Sequence, residues 1–123
     1  MSKENVLRSK SYVFAIQIIK ISQHISLTKK EFVLSKQLLR CGTSIGALIR
    51  EAEFAQSNAD FINKFSISLN EANECEYWLN LLKDTQYLNI EEVTPLLNLV
   101  QELIRLLVAT IKTLKSKETS KKQ

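Results

Sequence analysis

Along this chain apolar residues recur every three or four positions through four long stretches, separated by short polar breaks. That is the pattern of amphipathic helices packed on one another. The breaks place helices at about residues 4–23, 29–54, 58–84 and 90–115. The last is the clearest: Val93, Leu97, Val100, Ile104, Leu107, Ile111 and Leu114 follow the alternating four-three spacing of a helix seam. Beside it Leu96, Leu99, Leu103 and Leu106 form a second stripe, more than one four-helix core requires, so part of it is expected to face a neighbour. In the third helix Phe61, Phe65, Ala72, Cys75, Leu79 and Leu82 share one face, while Ile67, Trp78 and Leu81 lie around the wheel among Asp60, Glu71 and Glu74. The first helix also has two apolar sides, Tyr12/Ala15/Ile16/Ile19 and Leu7/Phe14/Ile18/Ile21, leaving a polar strip of Lys3, Lys10, Gln17, Lys20 and His24. Two-sided burial on this scale predicts a homo-oligomer built on the second faces of helices one, three and four.

Start signals support three of the boundaries. Thr28-Lys29-Lys30-Glu31 reads as a capping box opening the second helix. Ser57 to Asp60 is a weaker version for the third, and Asn89-Ile90-Glu91-Glu92 opens the fourth with acids at the positive end of its dipole. Pro95 falls late in that helix's first turn, where proline is tolerated. Short connections force successive helices to be antiparallel neighbours, so the expected fold is all-α: one antiparallel up-down-up-down four-helix bundle in a single domain over residues 1–115. Residues 116–123 have nothing to bury and are expected to form a disordered basic tail.

Both glycines of the chain, Gly42 and Gly46, sit one turn apart inside the second helix, each costing about 1 kcal/mol relative to Ala. Something uses their missing side chains: close approach of a neighbouring helix, a ligand lying against the backbone, or a break in the helix. The stripe Leu34, Leu38, Cys41, Ile45, Leu48 and Ala52 continues through them and argues against the break.

Composition narrows the function classes. The 123 residues suit one domain, and with 45% of them apolar the chain can bury a core. Two Gly and one Pro are too few for the turns of an all-β fold. No run approaches the ~18–20 uninterrupted apolar residues of a membrane span, and no signal core is visible; a cytoplasmic protein is expected. One His and two Cys cannot make a zinc finger or a disulfide framework. A carboxylate-bridged di-metal site needs two Glu-x-x-His motifs, and Glu71 and Glu74 have no partner His. Neither a glycine-rich phosphate loop nor a serine elbow exists, so no enzyme, no metal and no cofactor are expected.

Charge is uneven. Residues 1–40 carry eight Lys/Arg against two acids, residues 41–111 four against ten, and residues 112–123 five against one. Basic ends around an acidic middle mark either a polyanion-binding surface or helices that pair by charge. On the first reading Lys3, Lys10, Lys20, Lys29, Lys30, Lys36 and Arg40 contact the phosphates of RNA or DNA. Few arginines and no interleaved aromatics make that backbone binding rather than base readout.

Three segments carry a family resemblance: Gln37-Leu-Leu-Arg-Cys-Gly-Thr-Ser-Ile-Gly-Ala-Leu-Ile-Arg-Glu-Ala52, Ser57-Asn-Ala-Asp-Phe-Ile-Asn-Lys64 and Glu71-Ala-Asn-Glu-Cys-Glu-Tyr-Trp-Leu79. Together they resemble the bacterial 23S ribosomal RNA intervening-sequence proteins, over roughly residues 5–115. The resemblance implies an antiparallel four-helix bundle assembling as a homopentameric barrel. It also implies kinship with the accessory variability protein of diversity-generating retroelements, in which such a barrel is basic and binds nucleic acid and a reverse transcriptase. Leu48 stands where that family commonly has Asn, and Cys41 replaces a small Ser or Ala. Two function classes follow: a sequence-independent nucleic-acid-binding accessory ring, or a protein-binding scaffold ring. In either, Ile67, Glu71, Glu74, Trp78 and Leu81 are the expected subunit contacts and Gly42 and Gly46 the helix-packing positions.

Overall fold

The computed structural model describes residues 2–122; Met1 and Gln123 lie outside the described residues. Four helices, α1 (Lys3–Lys29), α2 (Val33–Ala52), α3 (Asn58–Asp84) and α4 (Ile90–Lys122), form an all-α up-down-up-down bundle. Each packs on the two helices beside it, and α1 and α4 close the ring as its least intimate pair.

The first turn differs from the capping-box expectation. Helix α1 runs on through Thr28, past its expected end near residue 23, because Ile25 is fully buried and continues the core face. The chain reverses at Lys30, whose left-handed φ of 56° ends α1 with its N–H bonded to the Ile25 carbonyl. Glu31 then does the capping that Thr28 was expected to do. Its carboxylate accepts from the backbone N–H groups of Val33 (3.1 Å), Leu34 (2.9 Å) and Ser35 (2.8 Å), three of the free donors of α2. The Ser35 hydroxyl returns a bond to the Glu31 carbonyl at 2.7 Å. Thr28 instead meets His24 at 3.4 Å.

The other caps match the sequence. Ser57 accepts from the Asp60 N–H at 3.1 Å. Asn89 and Glu92 cap each other reciprocally, at 2.7 and 2.9 Å. Pro95 lies beyond the first turn of α4, on its exposed side, and the helix continues through it. At the far end α4 does not stop at Lys115: residues 116–122 remain helical, where a disordered tail was expected. No Gly or Pro interrupts them, and Glu118 is tied to α3 by a 3.2 Å bond from Asn58 Nδ2.

Leu7, Phe14, Ile18, Leu38, Ile45, Phe65, Leu79, Leu82, Leu103 and Leu107 are among the fully buried side chains. In α4 the buried row is Val93, Leu96, Val100, Leu103, Leu107 and Ile111, while Leu97, Leu99, Ile104, Leu106 and Leu114 are half-buried against it. The two leucine stripes thus share the work inside the bundle, and the second does not face outward as expected. A four-helix corner explains this: α4 meets α3 on one side and α1 on the other, so a wide apolar arc is covered. Among the described residues, α4 is the one helix long and apolar enough by composition to cross a bilayer, but here its apolar arc faces the other helices.

Both glycines lie against α1. A Cβ on Gly42 would meet Ile18 Cγ2 at 2.6 Å, and one on Gly46 would meet the Ser11 hydroxyl at 3.1 Å. α2 is unbroken through both positions. Among the described residues two non-glycines have positive φ, Lys30 and Gln86 (67°), one in each of the turns after α1 and α3.

Candidate nucleic-acid interface

The seven cations singled out in the sequence do not form one surface. Arg40, on α2, reaches across to α3: its guanidinium bonds Glu71 Oε2 at 3.1 Å and Glu74 Oε1 at 2.5 Å. Trp78, one helical turn beyond Glu74, donates its indole N–H to the same carboxylate oxygen at 3.1 Å. The Trp78 indole and then the Arg40 guanidinium hold the Glu74 carboxyl below the usual carboxylate range, against a smaller opposing effect of burial. The bond to Glu74 raises the Arg40 pKa above its ordinary value. Arg40 is therefore engaged as an interhelix tie. Lys10 is likewise paired, with Glu102 of α4 at 2.7 Å.

Lys3, Lys20, Lys29, Lys30 and Lys36 are exposed and make no ion pair among the described residues. Lys3 stands apart at the opposite end of α1, roughly 40 Å from Lys29 by helix rise, in a shallow cleft shared with Thr110, Thr113 and Lys117. The other four gather where α1 turns into α2. From residue 16 to 40 the chain carries five Lys/Arg against the single acid Glu31, and the Glu31 carboxylate is occupied by the α2 cap. A groove of about 240 Å³ runs between the helices here, lined by Ile19, Ser22, Gln23, Ser26, Phe32, Ser35, Lys36 and Leu39.

The outer side of α1 is apolar. Tyr12 is 69% exposed and Val13 47%, with Ile16 and Ile19 at 40% each. On α3, Ile67 and Tyr77 are exposed, Leu81 is half-buried, and Trp78 packs edge-on against Tyr77 with its polar edge held by Glu74. The expected contact residues Glu71, Glu74 and Trp78 thus form one cluster with Arg40, while Ile67 and Leu81 lie outside its hydrogen bonds. No signal within the sequence puts Arg40 in register with Glu71 and Glu74, since that pairing depends on how α2 slides along α3. Phe32 was missed in the sequence, and Glu31 was read there as the reciprocal partner of Thr28 rather than as the cap itself.

Little else in the molecule has reactive chemistry. Cys41 and Cys75 are free and buried. Hydrogen bonding with the neighbouring Cys41 sulfur, together with burial, keeps the Cys75 thiol protonated well above its ordinary range, while the Cys41 thiol donates to the Leu38 carbonyl. Among the described residues no three His, Cys, Asp or Glu side chains gather closely enough to hold a metal ion. A cavity of about 830 Å³ at the α3–α4 turn is open and of mixed charge, with Lys29, Lys83, Asp84, Glu91 and Glu92 on its walls.

Fold and surface together define a small helical-bundle protein whose polar ties join neighbouring helices and whose spare cations gather at one corner. The family model of the 23S rRNA-intervening sequence protein matches residues 3–109, and the chain belongs to that family. The crystal structure of a protein of unknown function from the S23 ribosomal protein family of Bacteroides thetaiotaomicron VPI-5482 is similar to it. The two are 52% identical, with a TM-score of 0.88 over 90% of this chain and 99% of that one. No curated protein matches.

Proposed function

We propose that this chain assembles into a closed ring of identical subunits, five by family resemblance, and that the ring binds nucleic acid through its backbone without catalysing a reaction. The observation that carries this reading is the adjacency, on the α1–α2 exterior, of an apolar ridge (Tyr12, Val13, Ile16) and four exposed lysines without acidic partners (Lys20, Lys29, Lys30, Lys36). An apolar ridge left in water favours self-association. Repetition of the lysine corner around a ring multiplies a weak single-site attraction for phosphates.

A second reading, a protein-binding scaffold ring with no nucleic-acid role, draws support from the pairing of Lys10 and Arg40 inside the chain, which removes two of the seven cations. Light scattering at micromolar concentration measures the assembly, and a monomer there refutes the ring. Filter binding at low salt with structured RNA, single-stranded RNA and duplex DNA separates the two readings. Affinity for all three, falling steeply with salt, supports the first; no affinity for any leaves the scaffold.

A further inference from the structure

We propose that the groove between α1 and α2 is a single-strand site, in which a base stacks on Phe32 while a neighbouring phosphate lies against Lys36. The inference rests on the nucleic-acid reading above and assigns it a place and a form of substrate.

Four observations converge on this groove. First, Phe32 is 61% exposed at the mouth although it belongs to one of the most firmly held turns of the molecule. Lys30 closes α1, the Glu31 carboxylate takes three N–H groups on the other side of Phe32, and Ser35 bonds back to Glu31. The ring is therefore presented to solvent from a fixed backbone, so stacking on it orders little else. Second, Lys36 stands on the groove's wall and no acid is among its lining residues. Third, Gln23 and Ser26 add amide and hydroxyl groups that can bond a base edge in more than one way. Fourth, Ser22 in the lining is 95% buried, and its hydroxyl has no hydrogen-bond partner among the described residues, although buried polar groups in folded proteins are almost always bonded.

An aromatic face beside a cation, with adaptable polar groups beneath it, is the arrangement that holds unpaired bases with little regard to sequence. A duplex hides its base faces and could use the lysines but not the ring. A second copy of the chain fits less well, because the acidic pair of α3, Glu71 and Glu74, is already engaged by Arg40.

The test is fluorescence anisotropy with a labelled single-stranded RNA, the same sequence as DNA, and a duplex of equal length, on wild type, Phe32→Ala, Phe32→Tyr and Lys36→Gln. Phe32→Ala should weaken both single strands by about 5- to 150-fold, the loss of one stacked base, and leave duplex binding and the salt slope unchanged. Phe32→Tyr should restore the affinity. Lys36→Gln should weaken every nucleic acid and make the salt slope shallower by about 0.7 to 0.9. Single-strand affinity unchanged in Phe32→Ala overturns the groove while leaving nucleic-acid binding elsewhere intact. A changed light-scattering mass in Phe32→Ala overturns it in favour of a contact between copies. Absence of any binding by wild type removes the underlying reading instead.

Discussion

Ile18 occupies the space that a side chain on Gly42 would need: a methyl there would lie 2.6 Å from Ile18 Cγ2 and 2.8 Å from Cγ1. Ile18 is fully buried and branched at Cβ, so it cannot swing away. Close approach of α1 to α2 thus explains a residue that otherwise costs helix stability. Gly42→Ala should destabilise the bundle by about 1–3 kcal/mol through overpacking. Gly46→Ala faces only the Ser11 hydroxyl at 3.1 Å, and should be close to neutral because better helix propensity, about 1 kcal/mol, offsets the contact. Urea unfolding followed by circular dichroism separates the two; equal losses would contradict this account.

The Glu31 cap makes a second prediction. Removing a carboxylate that serves three N–H groups should cost about 1–2 kcal/mol, in the upper range for a cap residue. Thr28→Ala, the change that the capping-box reading would have marked, should cost less than half as much. Thermal unfolding of both variants checks the order.

Glu74 links the fold to pH. Its folded-state pKa is depressed, first by the Trp78 indole and then by Arg40, so its stabilising contribution is complete above the ordinary Glu pKa of about 4.3 and disappears as pH falls through the lower, folded value. The pair is partly exposed, 49% for Arg40 and 37% for Glu74, and solvent screening limits the loss to under about 1 kcal/mol. Trp78 is the chain's single tryptophan, so its emission reports the event directly. The fluorescence change should have its midpoint below 4.3 and be absent in Glu74→Gln; a midpoint above that value would show that the bonds do not persist in solution.

The thiols offer a measure of opening. Cys41 and Cys75 are fully buried, and Cys75 is pushed up by its neighbour and by burial. An aromatic disulfide reagent at mildly alkaline pH should label neither in the native protein and both in urea. Rapid labelling of native protein would mean that α2 and α3 separate locally.

Much of this fold was legible because spacing alone identifies a buried face: Phe65, Ala72, Cys75, Leu79 and Leu82 stand where their periodicity puts them. Helix α4 was harder, since with leucines at 96, 97, 99, 103, 106 and 107 several stripes satisfy a helical period. Only the position of α1 and α3 decides among them. The end of α1 was obscured by the capping-box pattern at Thr28 and by the polar Gln23 and His24, the latter paired with Glu92 at 3.1 Å. At the candidate site, charge counting found the lysines but could not tell spare cations from engaged ones, because the partners of Lys10 and Arg40 lie on other helices.

The chain places glycine where a helix interior would prefer alanine, and lysine and glutamine where a left-handed turn would prefer glycine. At Gln86 that inversion leaves a reserve: glycine there would relieve an unfavourable backbone angle outside the core, within the modest range open to turn substitutions. At Lys30 the same exchange would gain backbone ease but forfeit a charge beside the groove. The two turns therefore differ as starting points for thermal hardening: one is free to be improved, and the other sets rigidity against affinity.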